Sequence, residues 1–118
     1  MGVKTAVLAA GLVAGLGAIV LSSIPAQAQR TRFQGVTQCA RYGSVQFSRR
    51  DPSFRRFVIE RVTVQDDKFA GMAGHQFVST VYYGRATYEA AGGPKRVRFM
   101  CLHAGAIKGP VFIYTMPE

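Results

Sequence analysis

A chain of 118 residues, 48% hydrophobic and 18% charged, with two cysteines and no tryptophan, holds one small domain with a modest core and not two. Fifteen Lys and Arg against six Asp and Glu give a formal charge of +9, which favours anionic partners. The two cysteines and two histidines lie far apart and show no ligand spacing such as Cys-x-x-Cys, so neither a structural metal nor a cofactor is expected.

Residues 1–28 have the character of an export segment. A single charge, Lys4, precedes an apolar and glycine run over residues 6–21; Pro25 follows, and Ala26-Gln27-Ala28 has the small-x-small shape that signal peptidase reads. Cleavage after Ala28 predicts a mature domain over residues 29–118, periplasmic or secreted, with no stable membrane span. No cysteine follows the site to carry a lipid. The alternative is an uncleaved anchor, since the 19 residues 6–24 are just long enough to cross a bilayer. The mature part keeps 14 basic against 6 acidic residues, a net +8.

Residues 29–33 read as a mobile basic lead-in. From Gln34, Val36, Cys39, Ala40, Gly43 and Phe47 recur every three or four residues, the pattern of an amphipathic helix with Thr37 as a candidate N-cap and Arg50-Asp51-Pro52 as its end. Residues 54–65, rich in aromatic and β-branched side chains, predict a strand; Asp66-Asp67-Lys68 ends it, and Gly71 and Gly74 predict a flexible connection. A second strand over residues 76–89 alternates Val78, Tyr82 and Ala86 with Phe77, Val81, Tyr83 and Arg85. Gly84 within it marks a bulge or the close approach of another backbone. The turn Ala91-Gly92-Gly93-Pro94 leads to a third strand, residues 97–103, in which Val97, Phe99 and Cys101 alternate with Arg98, Met100 and Leu102. Residues 111–115 form a last short strand. The fold class is therefore α+β, one N-terminal helix packed on a four-stranded antiparallel sheet.

Two cysteines allow one pairing, and export places them in an oxidising compartment. Cys39 and Cys101 are thus expected to form a single disulfide that pins the helix to the third strand; in a reducing compartment both would be free buried thiols. A cysteine in the first helix of an exported chain, Gly84-Arg85-Ala86-Thr87-Tyr88 on one strand and Val97-Arg98-Phe99-Met100-Cys101 on the next, resembles small exported, periplasmic proteins of Gram-negative bacteria over residues 37–115. The resemblance implies this topology and the disulfide, and brings no activity, substrate or catalytic residue.

Chemistry-bearing residues are sparse. His75 and His103 could serve as general acid and base of a small ribonuclease-like hydrolase, but His75 stands in a glycine-rich loop and nothing in the spacing brings them together. No Gly-x-Ser-x-Gly is present, and the strand carboxylates Glu60 and Glu89 read as partners of nearby arginines rather than as a glycosidase pair. The basic residues carry more information. Arg49, Arg50, Arg55, Arg56 and Arg61 gather at the helix-to-strand junction, and Arg85, Lys95, Arg96 and Arg98 around the second hairpin. Guanidinium forks suit phosphate and carboxylate. Arg55, Arg56, Arg85, Lys95, Arg96 and Arg98 are the candidate anion-binding residues, with a solvated basic surface as the plain alternative. The expected function is non-enzymatic binding of an anionic envelope polymer, a lipid head group or a protein partner; nucleic acid is disfavoured by the compartment. A lysozyme-inhibitor-like role is weakened by charge, because a +8 domain is repelled by a basic enzyme.

Overall fold

The computed structural model describes residues 26–118, the side chains of residues 27–29 excepted; residues 1–25 of the expected export segment lie outside them. Helix α1 (Ala26–Arg50) is followed by five strands: β1 (Arg56–Ile59), β2 (Gln65–Ala73), β3 (Gln76–Ala90), β4 (Gly93–His103) and β5 (Pro110–Pro117). All pairings are antiparallel. β3 and β4 form the long central hairpin, β5 flanks β4, and β1 and β2 share the far side of β3. The fold is α+β with the helix on one sheet face, and Cys39 is bonded to Cys101 with a Cα–Cα distance of 6.2 Å.

The helix packs through the expected stripe: Val36, Cys39 and Phe47 are buried, and Ala40 and Tyr42 pack beside them. They meet Phe57 and Ile59 of β1, Tyr82 and Ala86 of β3, Phe99 and Cys101 of β4, and Ile113 of β5. Tyr42 Oη donates to the Val111 carbonyl at 3.0 Å, which ties the helix to β5 as well.

Two glycines on this stripe explain why a helix tolerates them despite a cost of about 1 kcal/mol each. A β-carbon at Gly43 would lie 3.0 Å from Ile113 Cδ1 and from Phe57 Cδ2, and one at Gly35 would overlap the Tyr82 phenol. The glycines thus let the helix lie close on the sheet. Gly35→Ala is expected to lower stability by about 1 kcal/mol, because overpacking a fixed, buried tyrosine outweighs the gain in helix propensity. Chemical denaturation of the variant measures the sign.

Three sequence expectations need correction. The lead-in, residues 29–33, is helical, and Arg32 Nη2 reaches Asp66 Oδ1 of β2 at 2.7 Å. Thr37 is inside the helix instead of capping it, and its hydroxyl accepts a hydrogen bond from Arg61 Nη2 at 2.9 Å. The sheet has five strands instead of four, because the expected strand over residues 54–65 breaks after Ile59. A 3₁₀ turn over Arg61–Thr63 interrupts it, and the supposed flexible connection from Asp66 onward is strand β2.

The break is well satisfied. Glu60 N–H donates to the Arg85 carbonyl at 2.9 Å, Thr63 Oγ1 donates to the Glu60 carbonyl at 2.7 Å, and the same hydroxyl accepts the Arg85 N–H at 3.0 Å. A threonine side chain thereby replaces the missing ladder partner. Gly84 provides the room, since a β-carbon there would lie 3.0 Å from the Thr63 carbonyl oxygen. β3 is 15 residues long and β1 only four, so residues 76–83 of β3 need β2 to satisfy their backbone groups.

Candidate functional site

Antiparallel register assigns each side chain of the sheet to a face. Val78, Tyr82, Ala86, Phe99, Cys101 and Ile113 are buried on one face, all but Val78 in the cluster that includes the helix. The alternate residues form an outer face that no element of the described chain covers. Across that face the structure sets three successive rows, read from the pairings of β3 with β4 and of β4 with β5. The first is Arg85–Arg98–Met116, the second Tyr83–Met100–Tyr114 and the third Val81–Leu102–Phe112.

Arg85 and Arg98 are direct cross-strand partners and both are exposed. Among the described residues neither guanidinium has a carboxylate within ion-pair distance, in contrast to their neighbours. Arg96 contacts Glu60 at 2.9 Å and Glu118 at 3.6 Å, and Arg56 contacts Glu89 at 3.4 Å. Like charges directly opposite on a sheet repel. The pair borders a groove of about 490 Å³, also lined by Thr63, Gln65, Tyr83, Met100 and Met116, a volume in the range of small-ligand sites. At its rim the Tyr83 hydroxyl lies 3.1 Å from both Asp67 Oδ2 and Gln65 Oε1. The hydrogen bond to the Asp67 carboxylate pushes the phenol pKa above its ordinary value, so Tyr83 stays neutral.

The six candidate basic residues divide. Arg56, Arg85, Arg96 and Arg98 share the outer face, and of these Arg56 and Arg96 are engaged by carboxylates. Lys95 is paired with Tyr88 and borders a separate groove with Phe47 and Arg50 on the helix side. Arg55 precedes β1 at the position alternate to Arg56. Sequence reasoning missed Thr63, Gln65 and Met116. Met116 had a signal, because Phe112, Tyr114 and Met116 alternate with Ile113 and Thr115.

The histidines do not meet. His75 occupies the β2–β3 turn and is exposed, whereas His103 ends β4, pairs with Pro110 and is buried on the helix face. The Gly105 N–H donates to His103 Nδ1 at 3.1 Å, so Nε2 carries the proton and donates to Gln38 Oε1 at 2.6 Å. Both ring nitrogens are spent on holding helix and loop. Burial lowers the His103 pKa below its ordinary 6.5. In the unfolded chain the imidazole therefore binds a proton at higher pH than in the fold, so its stabilising contribution is full above about pH 6.5 and declines as pH falls below that value. Melting temperature is expected to fall between pH 7.5 and pH 5, with a flatter slope in His103→Gln. Asp51, whose pKa is lowered by hydrogen bonds from Ser53 and Tyr88, acts only in a separate, more acid window below 3.8.

No protein-family model, curated protein or solved structure matches the chain. Among the described residues no group of three or more His, Cys, Asp or Glu is placed to hold a metal, and no helix is long and apolar enough to cross a membrane.

Proposed function

We propose that the protein is an exported, non-enzymatic binding domain, akin to small periplasmic proteins of Gram-negative bacteria, whose Arg85–Arg98 pair holds a phosphate or carboxylate of an anionic envelope component. The observation that carries this reading is the pair itself. Two exposed guanidiniums face each other across β3 and β4 without a carboxylate of the described chain to neutralise them, at the edge of a groove large enough for a ligand. One oxyanion bridging the two would turn their repulsion into a shared attraction and use the bidentate donors of both forks. The disulfide, buried between helix and sheet, accords with an oxidising compartment.

Inorganic pyrophosphate is a direct probe. At low salt it is expected to shift the side-chain Nε–H resonances of Arg85 and Arg98 and to leave Arg56, already paired with Glu89, unmoved. Hydrogen bonds to charged groups are worth about 1.5–3 kcal/mol. Arg85→Gln or Arg98→Gln should therefore weaken binding about tenfold or more. Unshifted Nε–H resonances at low salt would remove the reading.

A further inference from the structure

The outer face grades in polarity along the strands, and the order of that gradient is informative. Beside the unpaired arginines comes a row whose outer two members are tyrosines, Tyr83 and Tyr114 around Met100; beyond it Val81, Leu102 and Phe112 are purely apolar. Met100, Phe112 and Tyr114 are 39%, 43% and 51% exposed, so the apolar part is open to contact. Rows on one face are two residues apart, about 7 Å, which puts the purely apolar row about 13 Å from the arginines.

We infer that this face docks on an anionic phospholipid leaflet, with Arg85 and Arg98 on lipid phosphates and the Phe112 row inserted toward the acyl chains. The inference rests on the anion-binding reading of the arginine pair and names the partner it serves. A leaflet presents the same sequence of chemistries in the same order: phosphate first, then the interfacial zone that favours tyrosine, then hydrocarbon. Interfacial elements insert about 5–10 Å, a depth that takes in the tyrosine row, about 7 Å from the arginines. Asp67, beside Val81 at the β2 end of the third row, is turned to the Tyr83 hydroxyl and sits at the rim. A second copy of the chain is a poorer occupant, because each carries a net +9 and association would bring those charges together with nothing to neutralise them.

The chain has no tryptophan, so Phe112→Trp gives a single local reporter in the full-length protein, one that senses residue 112 whatever the N-terminal segment does. Its emission is expected to shift to the blue with phosphatidylglycerol vesicles and to stay unshifted with phosphatidylcholine vesicles. Val45→Trp, on the exposed side of the helix, is expected to stay unshifted with both. Adding Arg85→Gln and Arg98→Gln to the Phe112→Trp protein should lower partition about 30-fold, from the loss of two basic residues at the surface. Circular dichroism of each variant checks that it is folded. Unshifted emission from a folded Phe112→Trp protein that still binds pyrophosphate overturns leaflet docking and leaves the arginine reading standing; loss of both overturns both. An equal shift on phosphatidylcholine, or a shift that grows with protein concentration in the absence of vesicles, also overturns it, the latter in favour of a second copy.

Discussion

The double substitution Cys39→Ala/Cys101→Ala is expected to lower the unfolding free energy by about 4 kcal/mol. The bond closes a loop across a sequence separation of 62, and chain entropy alone gives a loss of that order for such a loop. Both sulfurs lie in fully buried residues at the centre of the helix–sheet contact, so the bond works where packing is already dense. For a domain of this size such a loss corresponds to a drop in Tm of about 15–30 °C, a large part of its margin. Guanidinium denaturation of the oxidised protein, the reduced protein and the double variant separates the cross-link from the lost sulfur contacts. Oxidised and reduced curves that coincide within about 1 kcal/mol would mean that apolar packing alone seats the helix.

Phe47→Ala is expected to cost about 3–5 kcal/mol by a different mechanism. Phe47 lies two turns beyond Cys39 and is the hub of an aromatic cluster. Its ring centroid is 5.1 Å from Phe57, 5.4 Å from Tyr88 and 6.1 Å from Phe54, the first two edge-on. Truncation leaves a cavity bounded by residues from β1, β3 and the helix exit, none of which can collapse without moving backbone. Tyr88 is also held by its hydroxyl, which donates to Asp51 Oδ2 at 2.8 Å just past the helix end. The substitution should therefore loosen the C-terminal half of the helix while the disulfide keeps the Cys39 turn in place. Amide hydrogen exchange is expected to rise over residues 43–50 and to remain slow around Cys39; uniform acceleration along the helix would contradict this division.

What was legible in the sequence follows from where alternation is forced by burial. The β3–β4 hairpin was readable because one face is under the helix: Tyr82 and Ala86, and Phe99 and Cys101, had to be small or apolar while their neighbours did not. The same logic made Cys39, Val36 and Phe47 visible as one helical stripe. β2 was not legible, because no residue of it is fully buried and it bulges at Phe69 and Ala70, so it carries turn residues and charges where a strand signal would be. Its existence follows from the backbone groups of β3 and not from its own side chains. Thr63 was invisible for a related reason: it acts by hydrogen bonding at a break that apolar periodicity does not record. The candidate anion-binding residues could be collected from charge alone, but their separation into paired and unpaired guanidiniums depended on the fold, in which register sets Glu89 against Arg56 and the turn after β1 brings Glu60 to Arg96.

The interrupted border at β1 and β2 bears on how the protein behaves when crowded. A sheet of this kind has two free margins, each a potential template for recruiting further strands into aggregates. One margin is cut by the 3₁₀ turn at Arg61–Thr63 and kinked again where the register shifts between Lys68 and Gly71, so no long straight run of donors and acceptors is presented there. The other, β5, starts at Pro110 and stops at Pro117, leaving six residues between two positions that lack an N–H. Both margins resist strand addition, which lets the protein keep an uncovered apolar face without polymerising through its edges.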